Sequence, residues 1–280
     1  MTFTDRSLPL DVPTGEGKSV NLFGRRSALF LPASNPRAIA RAREAGADLV
    51  ILDLEDAVKP ADKDAARIAA VAAVAEAWPC PVGIRVNSVA SEWFEADVAA
   101  VAGSEADFIV LPRVEDAEHL IVLATQVRRP VAAMIETARG VLNAPKIAQA
   151  SSAVLAGTND LAASLRLPSG AGRMPLMTAL QLVVLAARAA GVPAFDGVFN
   201  RLDDPDGLAA ECTESRQLGF DGKTLIHPNQ VELCHEAFAP THLELARAER
   251  LVAAAAGGAE RFEGEMVEAM HVEAARRLLG

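Results

Sequence analysis

Short apolar runs alternate along the chain with longer stretches in which apolar residues recur every three or four positions. The short runs suit strands buried on both faces, and the longer stretches suit amphipathic helices. Ser27–Leu31 is the first predicted strand. Pro32-Ala33-Ser34-Asn35-Pro36 follows, a loop in which Ser34 or Asn35 can cap a helix that has Pro36 at its first position. That helix runs to about Ala45, and Gly46 stops it. Further strands are predicted at Leu49–Leu54, Val82–Val86, Phe108–Leu111, Val131–Ile135, Ala153–Ala156, Phe195–Phe199 and Lys223–Ile226. Helices are expected over about 63–77, 93–101, 115–126, 140–149, a long stretch ending near Ala190, 205–218, the segment opened by His227-Pro228-Asn229-Gln230, 241–256 and 263–279.

Eight strands alternating with helices predict an α/β fold of the (β/α)8 TIM-barrel type with an extra C-terminal helical segment. An open doubly wound sheet is the structural rival. There is no GxGxxG after the first strand and no GxxxxGK[ST], which removes the two standard nucleotide sites. Residues 1–24 read as a flexible N-terminal arm, 25–256 as the barrel, and 257–280 as a helical lid or oligomer contact after Gly257-Gly258.

Polar residues recur where the predicted strands end. Asp53, Glu55 and Asp56 follow the second strand, Arg85 and Asn87 the third, and Arg113 the fourth; Glu136, Asp160, Asn200 and His227 follow the fifth to eighth. In a barrel all these ends converge on one mouth, where ligands bind. Glu136 and Asp160 are the best candidate metal pair, because two hard carboxylates with room for water and substrate oxygens suit Mg²⁺. Spacing alone leaves open that they are rim carboxylates bonded to helix N-termini. Arg85 offers a planar fork for a substrate carboxylate, or an internal bridge to Asp53, Glu55 or Asp56. Lys63 reads as counter-ion to that acidic cluster rather than as a Schiff-base lysine. His227 serves as acid/base or as a hydrogen-bonded rim residue, and spacing favours the rim role.

Composition narrows the classes further. Ala, Val and Leu dominate and tyrosine is absent, which suits helices on a buried sheet. The net charge of −10 disfavours nucleic acid and anionic membrane as partners. No run of about 18 apolar residues offers a membrane span, and Met1–Gly24 lacks the apolar core of a secretory signal. Cys80, Cys212 and Cys234 have no ligand spacing, so a reduced, cytoplasmic protein is expected.

Arg26-Ser27-Ala28-Leu29-Phe30-Leu31-Pro32-Ala33-Ser34-Asn35-Pro36 resembles the opening of the citrate lyase β-subunit-like proteins, in the HpcH/HpaI aldolase group of phosphoenolpyruvate/pyruvate-binding barrels. Leu52-Asp53-Leu54-Glu55-Asp56-Ala57-Val58, followed by Lys63, is similar to that family's signature. So are Ile84-Arg85-Val86-Asn87, Val110-Leu111-Pro112-Arg113-Val114, Ile135-Glu136-Thr137, Gly157-Thr158-Asn159-Asp160-Leu161 and Gly222-Lys223-Thr224-Leu225-Ile226-His227-Pro228, all in family order.

The resemblance implies Mg²⁺ held by Glu136 and Asp160, with Arg85 gripping the carboxylate of a 2-oxo acid. It implies reversible carbon–carbon cleavage of a 3-hydroxyacyl thioester carried on coenzyme A or an acyl carrier protein, in a homotrimer or hexamer. Asp53, Glu55, Asp56 and Lys63 then support the site. Arg85, Glu55, Asp53 and Glu268 are expected on the catalytic side, and Arg85, Glu136, Asp56 and Lys63 on the substrate side. The chain departs from the family pattern at Ala33, at Arg113 where lysine is usual, and in Gly264-Glu265-Met266-Val267-Glu268-Ala269-Met270. In that segment Glu268 stands where an aspartate from a neighbouring subunit is expected. Other activities compatible with the resemblance are an aldolase on free 2-oxo acids, a malyl-type thioesterase, and a non-catalytic carrier- or metabolite-binding homologue.

Overall fold

The computed structural model describes residues 20–256 and 258–280. Most of the expected N-terminal arm lies outside the described residues. Of the rest, Leu22 is buried and packs with the barrel interior rather than extending as an arm.

Among the described residues, eight parallel strands close into a barrel in chain order. They are β1 (Ser27–Pro32), β2 (Leu49–Asp53), β3 (Val82–Arg85), β4 (Phe108–Leu111), β5 (Val131–Ile135), β6 (Ala153–Ala156), β7 (Ala194–Asp196) and β8 (Gly222–Leu225). The open-sheet alternative is thereby excluded, since β8 pairs with β1. Alternate side chains fill the interior: Ala28, Phe30, Ile51, Phe108, Val110, Met134 and Phe195 belong to one buried cluster. The other faces of the strands lie under helices. Burial on both sides is why each strand reads in the sequence as a continuous apolar run.

The helices of the barrel unit are α1 (Pro36–Ala42), α2 (Lys63–Val74), α3 (Phe94–Ala102), α4 (Ala117–Val127), α5 (Ala138–Leu142), α6 (Ala144–Gln149), α7 (Thr158–Ser164), α8 (Met177–Ala190), α9 (Pro205–Leu218) and α10 (Val231–Phe238). Two of these helices and one strand differ from expectation. The helix predicted over 140–149 is two, because Asn143 ends α5 and caps α6, which carries a proline in its first turn. Gly157-Thr158-Asn159-Asp160, expected only as the end of the sixth strand, instead opens α7 and puts Asp160 in its first turn. Strand β7 stops at Asp196, where the chain leaves the sheet and the buried carboxylate meets Lys223 of β8 at 2.7 Å.

Close packing separates a second unit, Ala237–Gly280, from the barrel unit, so the boundary falls inside α10 rather than after Ala256. It contains α11 (His242–Ala254), β9 (Glu260–Phe262), β10 (Glu265–Val267) and α12 (Ala269–Leu279). The expected helix from Glu263 is thus a hairpin followed by a shorter helix. Its turn places both Glu263 and Gly264 at positive φ, 48° and 91°. Two-residue hairpin turns of this kind favour Asn-Gly or Asp-Gly, so Glu-Gly muted the signal. Ala248, Leu251, Val267, Val272 and Ala275 form this unit's own apolar core.

Candidate active site

The barrel register builds the centre of the mouth. Asp53 ends β2 directly opposite Arg85 at the end of β3, with both side chains on the interior face. Arg85 Nε and Nη2 donate to the two Asp53 oxygens at 2.6 Å each. The backbone N–H groups of Glu55 and Ala57 donate to the same two oxygens at 2.9 and 3.0 Å. Burial by itself would raise the Asp53 carboxyl, but the Arg85 charge and these four hydrogen bonds hold it below the ordinary range. Burial opposes the Arg85 charge in turn, and Asp53, Glu55 and Asp56 more than offset that. The guanidinium lies over the Phe30 ring at 5.0 Å, and its Nη1 is 3.7 Å from Met134 Sδ. Arg85 is therefore held in one orientation with its Nη1 edge free of Asp53.

That edge faces Glu55, whose Oε2 is 3.0 Å from Nη1 yet is buried without a hydrogen bond. Burial, only partly offset by Arg85, pushes the Glu55 carboxyl up to about 8, with Asp56, Glu136 and Asp53 adding to the rise. Glu55 is thus the carboxyl beside Arg85 that most readily keeps a proton. Asp56 stands further off, 3.8 Å from Arg85, and is exposed.

Lys63, at the start of α2, does not pair with the acidic side chains as expected. Its Nζ donates to Leu54 O, Glu55 O and Asn87 Oδ1 at 2.6–2.7 Å. Three bonds use all three ammonium donors and leave none for a substrate. Lys63 therefore positions the loop after β2, and burial holds its ammonium below the ordinary value. Asn87 is fixed in turn by Asp97 of α3, which accepts from its backbone and side-chain nitrogens at 2.9 and 2.6 Å. Sequence reasoning missed Asp97. The available signal was a carboxylate beside Val98 and one turn before Val101 on the buried face of α3.

On the opposite side, Glu136 follows β5 and is buried. Its Oε1 accepts the Arg113 backbone N–H at 2.6 Å. Its Oε2 lies over Gly157, where a Cβ would approach to 2.1 Å. Burial lifts the Glu136 carboxyl to about 7 against the pull of the Arg113 N–H and the Arg85 charge. Asp160 in α7 meets Arg113 Nη1 at 3.0 Å. Glycine at 157 was also overlooked in the sequence; it is the space into which Glu136 fits.

His227 accepts the Asn229 N–H at 3.2 Å and caps a 3₁₀ turn, the rim role. Asn200 pairs with Asn159 at the mouth. Cys80, Cys212 and Cys234 are free thiols, and burial pushes the Cys80 thiol up to about 11. Glu268 belongs to the C-terminal unit, at the N-cap of α12, where its backbone N–H donates to His271 Nδ1 at 2.9 Å.

Glu136 and Asp160 fit a hard divalent cation. Both supply oxygen, and Gly157 leaves the Glu136 carboxylate room to reach its place. Among the described residues no group of three or more His, Cys, Asp and Glu is spaced to hold a metal. Two protein carboxylates leave the other positions to water and substrate oxygens, the arrangement Mg²⁺ prefers. Beside the mouth, the loops after β1 and β2 flank an open cavity of about 530 Å³ whose lining includes Ser34, Asn35, Arg37, Lys59 and Asp62. No helix among the described residues is long and apolar enough to cross a membrane.

Known proteins are similar to this chain in sequence and fold. A (3S)-malyl-CoA thioesterase of Cereibacter sphaeroides is 42% identical over 265 residues, covering 91% of this chain and 93% of that protein. The citrate lyase subunit beta of Leuconostoc mesenteroides is 34% identical, covering 91% and 92%. The crystal structure of CitE from Mycobacterium tuberculosis, in complex with magnesium, acetoacetate and coenzyme A, superposes with a TM-score of 0.84 at 36% identity, covering 93% of this chain and 98% of that one. Residues 26–228, the span that carries every strand-end residue described above except those of the C-terminal unit, match the family described as HpcH/HpaI aldolase/citrate lyase. With its barrel, its Asp53–Arg85 clamp and these relatives, the chain belongs to the HpcH/HpaI aldolase/citrate lyase family.

Proposed function

We propose that the protein is a Mg²⁺-dependent enzyme that cleaves or forms the carbon–carbon bond of a 3-hydroxyacyl thioester of coenzyme A or an acyl carrier protein. The products of cleavage are an acetyl-type thioester and a 2-oxo acid. The supporting observation is the Arg85 fork, locked by Asp53, beside two carboxylates able to hold a cation. Glu136 and Asp160 are the residues that hold Mg²⁺, which supplies a Lewis acid for the 2-oxo oxygen.

The chain's own residues do the rest. Arg85 binds the substrate carboxylate through the guanidinium edge that Asp53 leaves free. Glu55 carries a proton at neutral pH, so an incoming carboxylate meets Arg85 without a second anion beside it. Cleavage requires the 3-hydroxyl proton to leave and the departing carbon to gain one. Glu55, already protonated, donates to the departing carbon within the mouth, and Glu268 of a second copy is the candidate base that takes the 3-hydroxyl proton. Asp53, Lys63 and Asn87 fix the loop that presents Glu55. Arg37 and Lys59 place positive charge in the neighbouring cavity, where phosphates of the thioester carrier bind. Assembly as a trimer or hexamer, in the cytoplasm, belongs to the same proposal.

Hydrolysis of a malyl-type thioester is the second candidate, favoured by the 42% identity to the Cereibacter sphaeroides thioesterase. Both use the same carboxylate grip and differ in which bond breaks. Incubation with malyl-coenzyme A and Mg²⁺ separates them: cleavage yields a 2-oxo acid and no free thiol, and hydrolysis yields a free thiol and no 2-oxo acid. Glu136→Ala and Asp160→Ala should abolish Mg²⁺-dependent turnover and leave the circular dichroism spectrum unchanged. Full activity of either variant, or of wild type in excess chelator, would refute the metal assignment. Binding of a 2-oxo acid without turnover across a thioester panel would indicate a non-catalytic homologue.

A further inference from the structure

Arg113 touches both carboxylates of the candidate metal site, one with its backbone and one with its side chain. Its φ is +51°, in the left-handed region that residues other than glycine seldom adopt. That backbone turn aims its N–H inward, 2.6 Å from Glu136 Oε1. The next residue anchors the turn, with Val114 N donating to Met134 O at 3.1 Å. From the same turn the side chain runs across to Asp160, where Nη1 lies 3.0 Å from Oδ1. The guanidinium is 52% exposed and the Asp160 side chain 32%. Its backbone is therefore committed, and its head group is free to leave.

We propose that Arg113 is the resident counter-cation of the metal site: its guanidinium occupies Asp160 until a divalent cation displaces it, and so sets how tightly the free enzyme takes the metal. The inference rests on the assignment of Glu136 and Asp160 to Mg²⁺. The guanidinium bonds Asp160 Oδ1, so a metal ion on the same carboxylate brings a second cation close against it. Two cations on one carboxylate repel each other. Metal entry therefore favours a swing of the Arg113 head group toward solvent, while its backbone N–H stays on Glu136 and keeps that ligand aimed. Arg113 is a positioning residue through its backbone and a competitor through its side chain.

The test is Mn²⁺ binding, followed by electron paramagnetic resonance of the free ion, on chelator-stripped full-length protein. Arg113→Gly keeps the N–H to Glu136 and relieves the left-handed strain; Arg113→Gln keeps a polar side chain and removes the charge. Both should bind Mn²⁺ more tightly than wild type, by roughly fivefold, the upper range for an ion pair this exposed. Asp160→Asn should bind at least tenfold more weakly. In the Asp160→Asn background, Arg113→Gly should then change affinity by less than about twofold, since no carboxylate remains to compete for. Unchanged or weaker binding in both Arg113 variants, with Asp160→Asn still impaired, would overturn the competition and leave the metal site standing. Wild-type affinity in both Asp160→Asn and Glu136→Gln would overturn the metal assignment and this inference with it.

Discussion

The Glu55 carboxyl makes a quantitative prediction about stability against pH. It is buried at 9% exposure, and the Arg85 charge 3.0 Å from its Oε2 only partly offsets the loss of water. The folded protein therefore holds its proton up to about pH 8, against an ordinary value of 4.5. Between those limits the native state binds a proton that the unfolded chain has released, and stability falls as pH rises. The contribution is complete below pH 4.5 and gone above about pH 8. At about 1.4 kcal/mol per pH unit, the interval amounts to ~5 kcal/mol. Glu55→Gln keeps the shape and removes the ionisation. Urea denaturation of chelated wild type and variant across pH 5–9 should show a stability difference that moves by several kcal/mol in the variant's favour as pH rises. A difference that stays flat, or that moves toward wild type, would refute the buried neutral acid. The same ionisation predicts that affinity for a 2-oxo acid declines in wild type above about pH 8 and that Glu55→Gln removes this decline.

Two further perturbations probe the walls of the site. Gly157→Ala would set a Cβ 2.1 Å from Glu136 Oε2 and 2.5 Å from Glu136 Cβ, so the carboxylate must shift. A displacement of that order should lower kcat/KM by about 10²-fold at a stability cost of about 1–3 kcal/mol, and wild-type kinetics would show that Glu136 need not sit where it does. Asp53→Asn breaks the ion pair and leaves Arg85 a buried cation without its main partner, which should cost about 3–5 kcal/mol in urea denaturation; a loss under about 1 kcal/mol would contradict the lock on Arg85.

Much of the architecture was legible because each barrel strand is buried on both faces. Runs such as Leu49-Val50-Ile51-Leu52 and Phe108-Ile109-Val110-Leu111 stand out against Ala-rich helices, and a polar residue marks where each strand leaves the core. Asp53, Arg85 and Glu136 announced themselves in that way. The Glu263-Gly264 hairpin did not, since its turn uses a glutamate where asparagine or aspartate would have signalled. The α7 helix also went unread, because Gly157-Thr158-Asn159-Asp160 looks like a loop until its backbone hydrogen bonds are placed.

The sequence by itself determined the eight strands alternating with helices and the set of polar residues delivered to the strand ends, for these follow from local burial and chain direction, whereas closure into a barrel came with the pairing of β8 to β1. Only the tertiary structure decided how those residues divide their work. Asp53 is spent on Arg85 because the β2–β3 register sets them side by side. Lys63 bonds carbonyls and Asn87 rather than carboxylates. Arg113 reaches Asp160 across 47 residues of chain, and Gly157 clears space for Glu136. These are contacts between elements distant in sequence, and charge pairing falls off steeply with separation. Differences of a few ångströms, which spacing along a chain does not encode, therefore settle which carboxylate is neutralised, which keeps its proton, and which is left to take a metal.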